Sequence, residues 1–128
     1  MGFFSNLFKV SEPKETKSLP WIALTDLQQL HDIIERSKIK TQVVFKHSTR
    51  CGASRMVLNR FIDTYELTEN DLDLYFLDLI NYRSVSNEVG YKFQVMHESP
   101  QLLIIKDGVL VAHGSHSGVN AIELENFL

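Results

Sequence analysis

The chain has 128 residues, 44% of them hydrophobic and 23% charged, with a formal net charge of −3 and a single cysteine. That length suits one ordinary hydrophobic core and excludes two, and no stretch approaches the roughly 20 apolar residues of a membrane span. One cysteine excludes an intramolecular disulfide and any multi-cysteine metal site, so a reactive Cys51 must find its partner in another molecule.

Charge is unevenly spread. From Arg36 to Ile62 there are seven basic residues (Arg36, Lys38, Lys40, Lys46, Arg50, Arg55 and Arg60) and no acidic one. The rest of the chain is acidic. No basic motif interleaved with aromatics accompanies the window, which argues against a nucleic-acid partner. The first residues lack the basic start, apolar run and small-residue cleavage site of a secretory signal, so the expected location is the cytoplasm.

Residues 1–20 read as an extension and linker. Phe3, Phe4, Leu7 and Phe8 fit one stripe of a short helix, and the polar stretch that follows carries Pro13 and Pro20. The domain is expected over residues 21–128. Residues 21–24 suit a short strand. Thr25 suits a helix N-cap, with Leu27, Leu30, Ile33 and Ile34 at helical spacing behind it. Val43-Val44-Phe45 marks a buried strand over residues 42–47. Ser48-Thr49-Arg50 is a polar turn. A helix is expected from about Cys51 to Tyr65, with Val57, Leu58, Phe61, Ile62 and Tyr65 on one face.

Residues 74–79 read as a second buried strand and residues 85–93 as a helix weakened by Gly90. Residues 102–105 and 109–112, joined through Asp107-Gly108, read as a hairpin. Residues 119–128 fit a closing amphipathic helix. The order β-α-β-α-β-α-β-β-α predicts an α/β fold with a central mixed sheet flanked by helices.

The chemistry is expected where a buried strand ends and a helix begins, at Cys51. Free amide groups and the helix dipole put partial positive charge there. A thiolate in that place is stabilised, and Arg50, Arg55 and Lys46 add to the effect. The thiolate is the attacking species in disulfide exchange. Ser54 lies three residues on, the place of the second cysteine in a Cys-x-x-Cys pair. A hydroxyl there can hydrogen-bond the sulfur but cannot resolve a mixed disulfide, so the cycle must be monothiol. Ser99-Pro100 opens a strand, where a proline need not donate to the ladder.

Other groups carry less. His113 and His116 have a ligand-like spacing but no third ligand, so no metal site is expected. Asp71 and Asp73 lack the glycine and glutamate of a calcium loop. His47 lies close enough to tune Cys51, and His97 and Glu98 stand near Ser99-Pro100.

The run Phe45-Lys46-His47-Ser48-Thr49-Arg50-Cys51-x-x-Ser54, with His97-Glu98-Ser99-Pro100-Gln101 and Ser115-His116, resembles the monothiol bacilliredoxin family over residues 21–128. The resemblance implies a thioredoxin-like fold and a thiol–disulfide oxidoreductase. Such an enzyme removes a low-molecular-weight thiol, bacillithiol, from mixed disulfides on client proteins. Cys51 would be the catalytic nucleophile. Pro100 would be a cis-proline facing it, and the backbone of Ser99 would bind substrate beside it. Ser54, Arg50, Arg55 and Lys46 would complete the substrate-binding set. Bacillithiol would act as co-substrate, with no bound cofactor. Where the family commonly has Cys-Pro-Ile-Ser, this chain has Cys51-Gly52-Ala53-Ser54, which implies a looser first helical turn and a shallower wall beside the sulfur. The alternative is a non-catalytic thioredoxin-fold module whose Cys51 senses or carries a thiol adduct without turnover.

Overall fold

The computed structural model describes residues 17–128; the apolar stripe of Phe3, Phe4, Leu7 and Phe8 lies outside them. The elements run β1 (Trp21–Ala23), α1 (Gln28–Arg36), β2 (Thr41–His47), α2 (Gly52–Thr64), β3 (Leu72–Asp78), α3 (Arg83–Lys92), β4 (Gln101–Lys106) and β5 (Val109–Ser115). Two short 3-10 segments follow, His116–Ala121 and Leu124–Phe127.

The five strands form one sheet in the order β1-β3-β2-β4-β5. β1 and β2 both run parallel to β3, while β4 lies antiparallel to β2 and to β5. β2 is thus central, and all seven of its residues are buried. That is why its sequence reads as a run of apolar residues rather than an alternation.

Period-two alternation along β2 sorts the core into two layers. Val43 and Phe45 pack with Phe61 and Tyr65 of α2, with Leu102 and Ile104, and with Val119 and Leu124 of the terminal segments. Val44 packs on the other face with Leu30 and Ile33 of α1 and with Val85 and Val89 of α3. An aromatic cluster fixes α2 to the sheet: the Phe61 ring lies 5.0 Å from Phe45, 5.5 Å from Tyr65 and 6.0 Å from Trp21. Packing begins before the expected boundary, since Leu19 is buried in the α2 layer and Lys17 Nζ donates to the Tyr65 carbonyl.

Three expectations change. The cap of α1 is not Thr25. Asp26 Oδ1 accepts the Gln29 N–H at 3.2 Å while Gln29 Oε1 accepts the Asp26 N–H at 3.2 Å. This reciprocal box leads into the helix, which starts at Gln28. Gly90 interrupts nothing: Val95 N–H donates to the Gly90 carbonyl at 3.0 Å, and a Cβ at Gly90 would lie 3.0 Å from the Val95 carbonyl oxygen. The glycine is where the chain folds back on α3. The closing α-helix is replaced by the two 3-10 segments, separated by extended backbone at Ile122 and Glu123. Val119 and Leu124 are both buried, and Asn120 Nδ2 donates to the Val57 carbonyl and fixes the first segment on α2.

The hairpin follows its expected turn. Asp107 and Gly108 both have positive φ, 51° and 81°, the twist that joins adjacent antiparallel strands. At this end of the sheet Asp73 accepts from Arg36 Nε at 2.8 Å and from Gln42 Nε2 at 2.7 Å. Burial alone would raise the Asp73 carboxyl, but these hydrogen bonds and the charges of Arg36 and Lys40 hold it below its ordinary value.

Candidate active site

The opposite end of the sheet carries Cys51. β2 ends at His47, the chain turns through residues 48–50, and Cys51 is the N-cap of α2 with extended backbone, φ −113° and ψ 118°. Its N–H donates to the Ser48 carbonyl at 3.2 Å, and its own carbonyl accepts the Arg55 N–H at 3.2 Å. The thiol is free and exposed. Arg50, Gly52, Ala53 and Arg55 around it are exposed as well, so the sulfur stands open to solvent between two guanidinium-bearing residues. Neither arginine has an ion-pair partner among the described residues.

The Ser99-Pro100 bond is cis. The sheet register locates it. Gln101, the first residue of β4, lies opposite Lys46 of β2. Ser99 and Pro100 therefore sit at the end of the sheet where β2 delivers the chain to Cys51. The Pro100 carbonyl is taken by the His116 N–H at 3.0 Å, which ties the strand start to the first 3-10 segment.

Two of the expected substrate-binding side chains are turned elsewhere. Ser54 is fully buried. Its Oγ accepts the Ser48 N–H at 3.2 Å and lies 2.9 Å from His47 Nδ1. The hydroxyl accepts from the amide and can pair with either tautomer of a neutral imidazole, donating to a bare Nδ1 or accepting from a protonated one. Burial pushes the His47 pKa down, with Arg55 acting in the same direction and Asp78 against it, which favours that neutral form. The expected contact with the sulfur assumed that residues 51 and 54 share a helix face. Instead Cys51 is exposed while Ser54 is buried, and the Ser54 hydroxyl is taken by Ser48 and His47.

Lys46 is also fully buried, and so offers no surface to a substrate. It alternates with Phe45 and His47 and points to the α1 and α3 face, away from α2. Among the described residues its Nζ has one hydrogen-bond partner, His97 Nδ1 at 2.9 Å. Burial pushes its pKa down to about 8, so it remains mostly an ammonium at neutral pH. An ammonium only donates, so His97 Nδ1 accepts and the ring is neutral. Burial, Lys46 and Arg83 all push the His97 pKa down, against Glu98. Sequence spacing carries no signal for the Lys46–His97 contact, because it joins distant segments of the chain.

The other histidines stay apart from any ligand set. Among the described residues no three His, Cys, Asp or Glu side chains are grouped so as to hold a metal ion. Nor is any helix among them long and apolar enough to cross a membrane.

Comparison with known proteins shows the family and the fold. The profile of the family described as Monothiol bacilliredoxin BrxC matches residues 22–124. A solved thioredoxin-fold structure, described as that of a proposed oxidoreductase, is 31% identical, with a TM-score of 0.70 over 84% of this chain and 92% of that one. Thioredoxins share the fold at lower identity. That of Fasciola hepatica is 18% identical, with a TM-score of 0.62 over 82% of this chain and 93% of its own. That of Malassezia sympodialis is 17% identical, with a TM-score of 0.59 over 86% and 89%. The fold is that of thioredoxin, the chemistry is thiol redox chemistry, and the chain belongs to the monothiol bacilliredoxin family.

Proposed function

We propose that the protein is a monothiol thiol–disulfide oxidoreductase that removes a low-molecular-weight thiol, bacillithiol, from protein mixed disulfides. The observation that carries this reading is the position of the chain's one cysteine. It is exposed at the N-cap of α2, at the sheet end that also bears cis-Pro100.

The cycle balances with one protein sulfur. The Cys51 thiolate attacks the small-thiol sulfur of the client's mixed disulfide. A new sulfur–sulfur bond forms on Cys51, the client's cysteine leaves as thiolate, and it takes a proton from water. A second small thiol, as thiolate, then attacks the adduct. Cys51 leaves as thiolate and the two small thiols depart as their disulfide. Ser54 cannot intervene, since a hydroxyl forms no disulfide and its own is committed to His47.

The client's main chain pairs with the backbone of Ser99 beside Pro100, as in the family's fold. Arg50 and Arg55 flank the sulfur with positive charge, which suits a small thiol bearing carboxylates. Lys46 and Ser54 belong to the support of the site rather than to its contact surface. The reaction fits a cytoplasmic setting, where a reduced small-thiol pool regenerates Cys51.

The test is transfer from a bacillithiol-modified client protein to the reduced enzyme, followed by intact mass. The adduct should appear on wild-type protein, be absent from Cys51→Ser, and disappear when free bacillithiol is added. A glutathione-modified client, run in parallel, distinguishes the small thiol.

A further inference from the structure

The segment between α3 and β4 has no regular structure over residues 95–98, yet it is held by side chains from three different strands. Gln101 Nε2 of β4 donates to the Met96 carbonyl at 3.0 Å. Lys46 Nζ of β2 donates to His97 Nδ1 at 2.9 Å. Ser115 Oγ of β5 donates to the Glu98 carboxylate. These three anchors stand in register. Lys46 lies opposite Gln101, and Gln101 lies opposite Ser115. One row across the sheet therefore grips three consecutive residues immediately before Ser99-Pro100.

Two of the anchors are polar groups where an apolar side chain would be expected. Lys46 and Gln101 are both fully buried. Putting an ammonium and an amide into a core row carries a desolvation cost that a leucine or methionine would avoid. Both direct their donors to the same loop, and His97, itself exposed, covers the ammonium from solvent.

We propose that the Lys46–Gln101–Ser115 row is a clamp that fixes residues 96–98 and so positions Ser99 and Pro100 as a preformed edge for the client chain. The role given to the client rests on the functional reading above; the clamp itself does not. These are positioning residues. They touch the loop, not the reacting sulfurs. A preformed edge spares the client the cost of ordering the loop when it docks, so loosening the clamp acts mainly on binding.

The test is hydrogen exchange by mass spectrometry on the reduced full-length protein, with kinetics of client turnover beside it. Lys46→Met, His97→Leu and Ser115→Ala should each accelerate exchange in the peptide spanning residues 94–100, by about tenfold for the two that remove the charged hydrogen bond. His97→Asn should restore slow exchange, because its amide oxygen can offer an acceptor near the position of Nδ1. Alkylation of Cys51 by iodoacetamide should stay within about twofold of wild type, while KM for a thiolated client rises about tenfold and kcat changes less. Unchanged loop exchange in Lys46→Met and Ser115→Ala would overturn the clamp. So would acceleration spread evenly over the whole chain, or failure of His97→Asn to recover. Should wild-type protein show no transfer at all, the functional reading fails, and the exchange data alone decide the clamp.

Discussion

The Ser54 hydroxyl lies 2.9 Å from His47 Nδ1, linking the first turn of α2 to the last residue of β2 beneath the exposed Cys51. The bond joins the two elements whose junction places the sulfur. It gives the serine at the second-cysteine position a role in holding the α2 start on the strand.

Ser54→Ala removes that link and leaves both His47 Nδ1 and the Ser48 N–H without their partner. Unpaired buried polar groups of this kind cost about 1–3 kcal/mol. Urea denaturation should show a loss in this range with an unchanged slope. A variant as stable as wild type would show that the hydroxyl is not holding the junction.

Lys46 predicts a pH dependence whose sign is opposite to that of a salt-bridged lysine. Its folded pKa is lowered to about 8 from an ordinary 10.5, chiefly by burial. Between those values the unfolded chain binds more protons than the folded one, so stability rises with pH. The group's contribution across the window is about 3 kcal/mol. Tyr65 and Tyr75, both pushed up to about 12 by burial, act the other way above pH 10. Denaturation at pH 7 and pH 9.5 should show a gain in wild type that is absent from Lys46→Met. Parallel curves for the two proteins would contradict the burial of an ammonium here.

Gly52 is the first residue of α2, it has no positive φ, and a Cβ there would meet nothing within 4 Å. Proline suits this first helical position, where its missing N–H is an orphan in any case. Gly52→Pro should therefore stabilise the fold by about 0.4–1 kcal/mol, through fewer conformations of the unfolded chain. A rise in Tm checks it. A fall would mean that the helix start needs a backbone geometry proline cannot take.

Phe61 joins α2 to β2 and to Trp21 and is 5% exposed. Phe61→Ala should cost about 3–5 kcal/mol, a large share of the stability of a domain this size. Thermal unfolding measured by circular dichroism reads it directly.

Most elements were legible because their signals are local. Val43-Val44-Phe45 is a continuous apolar run because β2 is covered on both faces, and Asp107-Gly108 supplies the two positive φ values of the hairpin turn. The strand–turn–Cys51–helix junction and Ser99-Pro100 were readable for the same reason. The C-terminal segment is no α-helix: Val119 and Leu124 are both buried although they stand five residues apart, a spacing that an α-helix does not put on one face, and tertiary bonds such as Asn120 to Val57 decide the backbone instead. Lys46 is expected at the substrate face because a charged side chain near Cys51 in sequence says nothing about which face of the strand it occupies. Alternation along β2 sends it to the face opposite α2, where only the fold brings His97 to it. The spacing of Cys51 and Ser54 likewise says nothing of the His47 ring that takes the Ser54 hydroxyl.

The central claim is that Cys51 alone carries a small-thiol adduct through a complete cycle. The most direct measurement is a time course of intact mass after mixing reduced protein with a bacillithiol-modified client. The account predicts a single adduct on Cys51 that appears as the client is freed and vanishes when bacillithiol is added, with none on Cys51→Ser. An adduct that forms but resists added thiol would make the protein a carrier without turnover, and no adduct from any modified client would contradict the account outright.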